Sequence, residues 1–221
     1  TIDTQAPVEG TVANQSAYSA ETNIIFSWNN FTDTGGSGVD HYEVQISDEN
    51  NFSNIVFEDN HYIRVNHTYA GTQGETYYAR VKAVDGVALK SDFVYSDGTT
   101  IDTTAPTEFA LDVHQHPAPV GDQIITWSAS TDGESGIQQY EIFREDNIFD
   151  ASRNVQLSVP MHSMGTTTTT TFIDTTTVDD EFYVYKIIAT NNAGIETETA
   201  TMQFHVSSTE TYPPAFENAV S

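Results

Sequence analysis

Thr100-Ile101-Asp102-Thr103-Thr104-Ala105-Pro106 repeats, after 99 positions and with one change, the string Thr1-Ile2-Asp3-Thr4-Gln5-Ala6-Pro7. A recurrence of this kind marks an internal repeat. It also reads as a seam. Ile-Asp-Thr suits the end of a strand, whereas a proline cannot donate to a ladder and holds the residue before it extended. The seam divides the chain into a first module, 1–102, a second, 103–206, and a tail, 207–221, whose Pro213-Pro214 excludes a central strand.

On either side of the seam the apolar residues recur at period two. Ile24, Phe26 and Trp28 share one face, as do Tyr42, Val44 and Ile46, and then Tyr77, Ala79, Val81 and Ala83. The run from Phe93 to Ile101 is expected to close the first module. The second module repeats the order with Ile125 and Trp127, Tyr140 and Ile142, then Tyr183, Tyr185, Ile187 and Ala189, with Thr199–Val206 closing it. No stretch has the 3.6-residue period of an amphipathic helix. Short strands separated by Gly, Asp and Asn turns predict an all-β fold of two tandem antiparallel β-sandwiches, joined by the Asp-Thr-Thr-Ala-Pro linker.

Two motifs make the pattern specific. Trp28, Asp33, Ser37-Gly38-Val39 and Tyr42 are matched by Trp127, Asp132, Ser135-Gly136-Ile137 and Tyr140. Tyr77, Val81 and Ala83 are matched by Tyr183, Ile187 and Ala189. Together they resemble the B–C region and the F strand of fibronectin type III domains, over roughly Asp3 to Val206. The resemblance implies core roles for Trp28, Trp127, Tyr42 and Tyr140. It implies corner tyrosines at Tyr77 and Tyr183, whose hydroxyls bond nearby backbone. The Asp-Thr-x-Ala-Pro junctions look like those that join such domains in microbial surface proteins. The fold by itself assigns no role.

Composition narrows the classes. With 32 acidic and 7 basic residues the net charge is −25. The excess is even, −11 through Asp102 and −14 beyond it. Such a surface argues against nucleic acid and anionic membranes as partners. It suits a saline exterior and weak capture of divalent cations. There are no cysteines, which excludes disulfides, thiolate metal sites and thiol nucleophiles. A chain that opens on Thr1 and has no apolar stretch of membrane-spanning length is read as a mature product or an excised fragment.

Candidate sites are few. The B–C loops, Thr32–Gly38 and Thr131–Gly136, put carboxylates on Gly-rich turns. Asp33, Asp132 and Glu134, and separately the junction acids Asp3 and Asp102, are therefore candidate Ca²⁺ ligands. The simpler account makes Asp33 and Asp132 caps of Asx turns beside glycines at positive φ. His114 and His116 would share a strand face, without an identifiable third metal ligand, and the remaining histidines look scattered. Sequons at Asn14, Asn30, Asn51 and Asn66 are candidate glycosylation sites. The threonine run 166–171 reads as a strand with its approach loop, or as a hydroxyl-rich adhesive face.

From Trp to Tyr the second module is longer than the first, 56 residues against 49. We assign the extra length to an irregular insertion at Arg144–Gly165, where binding loops on a sandwich tend to sit. The tail's Tyr212, Ala215, Phe216, Ala219 and Val220 could dock on a neighbouring subunit.

No nucleophile elbow, phosphate loop or zincin helix occurs, and no catalytic site is expected. The expected role is a structural or adhesive extracellular module, a spacer or a subunit of a filament, with other protein subunits as partners. The alternative is an accessory carbohydrate-binding or spacer region of a secreted polysaccharide-degrading enzyme. Its aromatics would come from Tyr62, Tyr69, Phe93, Tyr95 and Phe143 or Phe149. No cofactor is required, Ca²⁺ apart.

Overall fold

Trp28, Phe26 and Ile24 all lie at 0–3% exposure in one seven-residue strand, while Ile25 between them is 53% exposed. That alternation, repeated strand by strand, builds the architecture. The computed structural model describes residues 2–13, 15–115, 122–150 and 155–207. The chain divides into two units, Thr1–Thr104 and Ala105–Ser221.

The first unit contains β1 (Thr11–Val12), β2 (Tyr18–Ser19), β3 (Asn23–Asn29), β4 (Val39–Ser47), β5 (Ile55–Tyr62), β6 (Asn66–Ala70), β7 (Thr76–Asp85), β8 (Val94–Tyr95) and β9 (Thr99–Ile101). One sheet has the order β1-β3-β6 and the other β2-β9-β7-β4-β5, with β8 also on β7. Pairing is antiparallel except at β2–β9, which run parallel through Tyr18↔Thr100 and Ser19↔Ile101. The sheets meet through Ile24 and Phe26 against Ile46, Tyr77, Ala79 and Ile101, and through Trp28 and Val12 against Val44 and Val81. Each large apolar side chain so buried contributes roughly 1.5–3 kcal/mol of transfer free energy.

The second unit contains β10 (Leu111–Gln115), β11 (Gln123–Trp127), β12 (Ile137–Asp150), β13 (Val155–Thr167), β14 (Thr171–Asp174), β15 (Phe182–Asn191), β16 (Glu196–Glu198) and β17 (Met202–His205). Its sheets are β10-β11-β14 and β13-β12-β15-β16, with β17 also on β15. Val113, Ile125, Trp127, Tyr140, Ile142, Tyr183, Tyr185, Ile187, Ala189 and Val206 form one core. No helix occurs among the described residues, and none is long and apolar enough to cross a membrane.

Two readings of the sequence are corrected. Arg144–Gly165 is not an irregular insertion: it belongs to a long hairpin of β12 and β13, with register shifts at Ile142/Phe143 and Arg144/Asp146. The apolar period stops at Ile142 because the next inward positions carry Arg144 and Asp146, 7% and 8% exposed. The closing stretch Phe93–Ile101 is two short strands, broken at Gly98 (φ 91°), where a Cβ would fall 2.4 Å from the Tyr78 ring. The closing stretch Thr199–Val206 holds β17, and β16 and β17 pair with successive parts of β15, with a break between them. In the threonine run, Thr166 and Thr167 end β13, and Thr171 opens β14 after a bend. Asn14, His116 and the tail from residue 208 lie outside the described residues.

Candidate functional site

The turn between β3 and β4 is tied together by a single carboxylate. Asp33 Oδ1 accepts the Gly35 N–H at 2.8 Å, and Oδ2 accepts the Gly38 N–H at 2.6 Å and the Ser37 hydroxyl at 3.4 Å. Gly36 and Gly38 supply φ of 114° and 75°, conformations costly for residues with a Cβ. Asp3 lies against the same loop: its Oδ2 accepts the Ser37 N–H at 2.9 Å and its Oδ1 the Gln5 N–H at 3.1 Å. A Cβ on Gly35 would sit 2.0 Å from Asp3 Oδ1, so glycine is what admits this carboxylate. Contacts from Ser37 and Gln5 hold the Asp3 carboxyl below its ordinary pKa. The third carboxylate ends β7. Asp85, 2% exposed, accepts the Val87 and Leu89 N–H groups on Oδ1 at 3.0 and 2.8 Å, while its buried Oδ2 has no hydrogen-bond partner. Asp3, Asp33 and Asp85 each bring an oxygen within 4.8 Å of the other two.

The second unit builds the same turn with a different end. Asp132 Oδ1 accepts the Ser135 and Gly136 N–H groups at 2.9 and 3.1 Å. Asn191 stands where Asp85 stands, eight residues after Tyr183 as Asp85 is after Tyr77. Its Oδ1 accepts the Ala193 and Ile195 N–H groups at 3.1 and 2.8 Å, repeating the Asp85 pattern. Its Nδ2 donates to Asp132 Oδ2 at 3.1 Å. Burial opposes ionisation of Asp132, but the Asn191 amide and the loop N–H groups outweigh it and lower its pKa. Glu134 is exposed at the loop tip. Asp102, fully buried, accepts the Thr104 N–H and hydroxyl at 3.1 and 2.9 Å. Within the first domain, the acids singled out in sequence that come together are Asp3 and Asp33. Asp85 joins them unanticipated, although the equal Tyr-to-acid and Tyr-to-amide spacings in the two repeats pointed to it.

No protein-family model matches the sequence, and no curated protein matches it. Solved structures do match. Titin domains A168–A170 superpose with a TM-score of 0.54 at 14% identity, covering 91% of this chain and 67% of that one. The fibronectin(III)-like modules of Clostridium thermocellum CbhA superpose with a TM-score of 0.50 at 14% identity, covering 93% and 98%. The fold is a tandem of fibronectin type III-like sandwiches. In both, the corner tyrosine is an acceptor: Thr72 N–H donates to Tyr77 Oη at 3.1 Å, and Val178 N–H to Tyr183 Oη at 2.8 Å.

Beyond the fibronectin type III-like frame, the second domain carries a buried ion network. Arg144 donates from Nε and Nη2 to the two oxygens of Asp146 at 2.6 and 2.9 Å, and from Nη1 to Asp174 Oδ2 and Thr176 Oγ1, both at 2.6 Å. The Tyr185 hydroxyl donates to Asp174 Oδ2 at 2.9 Å. Burial opposes the charge on each partner, and the mutual hydrogen bonds overcome it, raising the Arg144 pKa and lowering that of Asp174. In the first domain Asp40, His41 and His61 offer metal-type ligand atoms within 4.8 Å of one another, a cluster created by β4–β5 pairing that the histidines' scatter in sequence conceals. His114 lies on β10, 3.7 Å from Asp112. Asn30, Asn51 and Asn66 are exposed.

Of the aromatics considered for carbohydrate, Tyr62 packs on Trp28 and Tyr69 on Tyr77. Phe143 is half-buried beside Lys186, whereas Tyr95 is 54% exposed beside Phe93.

Proposed function

We propose that the chain is a non-catalytic structural or adhesive module working outside the cell, a spacer or a subunit of a surface appendage. The observation that carries this reading is that two self-contained sandwiches follow one another, each with its own core and its own carboxylate-tied B–C loop. Several of the acids hold local structure: Asp33 and Asp132 take loop amides, Asp102 takes Thr104, and Asp174 takes Thr176 and Arg144. A net charge of −25 favours a soluble, mutually repelling surface in a saline medium. Pairing of another chain along the β13 edge is restricted by Pro160, which lacks an N–H. The test is immunogold labelling of intact producing cells with an antibody to the chain. Label on unpermeabilised surfaces or fibres supports the reading, and label confined to permeabilised cells overturns it.

Tyr95 and Phe93 give the accessory carbohydrate-binding reading a foothold. A glycan array probed with the whole chain decides it. Binding abolished by Tyr95→Ala favours that reading, and an unresponsive array removes it.

A further inference from the structure

We infer that Asp3, Asp33 and Asp85 form a calcium site that ties the N-terminal segment to the β3–β4 loop and the end of β7 in the first domain. Three carboxylates converge within 4.8 Å, and one of them, on a residue 2% exposed, keeps a buried oxygen with no hydrogen-bond partner. An unpaired buried carboxylate oxygen beside two further acids is costly, and something must offset it. Among the described residues no Lys, Arg or His pairs with these three carboxylates. Lys82 and Lys90 both pair with Glu43, and Arg80 lies between the Phe52 and Phe93 rings.

The second domain supplies the internal control. At the position of Asp85 it has Asn191, whose Oδ1 makes the same pair of turn hydrogen bonds and whose Nδ2 donates a hydrogen bond directly to Asp132. One domain closes this corner with an amide, and the other has an oxygen where the amide donor would be. The all-carboxylate donor set selects a hard cation. The oxygens lie within 4.8 Å of one another on three separate elements, and such an irregular carboxylate set suits Ca²⁺, which accepts flexible geometry, better than Mg²⁺, which demands a near-ideal octahedron and sheds water reluctantly. Water completes the coordination, and three protein carboxylates place the affinity in the range of about 0.1–1 mM typical of extracellular modules.

The experiment is calorimetry on the whole chain in chelator, in 10 mM CaCl₂ and in 10 mM MgCl₂ at matched ionic strength, with calcium titrations alongside. For the wild type, calcium multiplies the folded-to-unfolded ratio of the first domain by roughly 10–100-fold, a rise in its midpoint of about 5–15 °C, and magnesium does much less. Asp85→Asn replaces the cation by a hydrogen bond to Asp33. Its first domain in chelator is then at least as stable as the wild type in chelator, and it no longer responds to calcium. Asp3→Asn, at the accessible end of the site, folds and loses most of the response. Asp97→Asn, an exposed acid elsewhere, keeps it. A wild-type midpoint that ignores calcium, an equal response to magnesium, or a calcium response that survives Asp85→Asn would each overturn the site and leave only diffuse counterion binding. So would an Asp85→Asn first domain less stable than the wild type in chelator.

Discussion

Replacing Arg144 with Met keeps most of the buried stem and removes the guanidinium from between Asp146 and Asp174. Four hydrogen bonds of 2.6–2.9 Å are lost together. The larger effect lies in what remains, because Asp146 and Asp174 are 8% and 1% exposed and become unpaired buried carboxylates. Breaking one side of a buried ion network costs about 3–5 kcal/mol. At about 4–8 °C per kcal/mol for a domain of roughly 100 residues, the second domain's melting midpoint falls by about 12–40 °C. Differential scanning calorimetry of the whole chain reads this as a shift of one transition, with the first domain's unchanged. The combined variant Arg144→Met, Asp146→Leu, Asp174→Asn removes the stranded charges and recovers at least half of the loss. A shift under 5 °C for Arg144→Met, or a combined variant no better than the single one, refutes the assignment of a buried, mutually dependent network.

Three further outcomes follow from the same geometry. Asn191→Asp places a second carboxylate oxygen 3.1 Å from Asp132 Oδ2 in place of the amide donor, and should destabilise the second domain by about 1–3 kcal/mol in chelator, read by urea denaturation. Gly98→Ala forces a Cβ against the Tyr78 ring at φ 91° and should cost the first domain about 1–3 kcal/mol, with β8 and β9 showing the largest gain in amide exchange. Asp132 and Asp174 have folded-state pKa values below the ordinary 3.8, so they bind protons more readily when unfolded. Their contribution is therefore complete above about pH 5 and is lost as pH falls through 4 and below. Melts in 0.5 M salt, which screens the general acidic repulsion, should show a second-domain midpoint flat from pH 7 to 5 and falling towards pH 3. A midpoint rising towards pH 3 would contradict those shifts.

What could be read from the sequence was what depends on local alternation. Phe26 and Trp28, Val44 and Ile46, and Tyr77 through Ala83 announce their buried faces two residues at a time, and the repeat of the order after Asp102 announces the second sandwich. The hairpin of β12 and β13 was missed for the same reason. Its alternation continues, but with Arg144 and Asp146 in the inward places, and a pattern search for apolar residues cannot follow it. The site was legible only in part. Asp3 and Asp33 stood out by residue type and loop chemistry, yet their meeting depends on how the N-terminal segment crosses the β3–β4 turn. Asp85 precedes Gly86, and an Asp-Gly pair by itself signals no more than a turn. Its difference from Asn191 becomes informative only when both are seen facing a loop aspartate or its vicinity. The Asp40, His41 and His61 cluster similarly needs the β4–β5 register, which no local spacing encodes.

The central claim is that two self-contained fibronectin type III-like sandwiches act in series as a non-catalytic spacer. Single-molecule extension of the whole chain from its two ends tests it most directly. Units of about 100 residues at roughly 3.6 Å per residue should give two separate force peaks, each releasing about 30 nm of chain. A single concerted event of about 60 nm, or extension without a peak for either unit, would contradict the account.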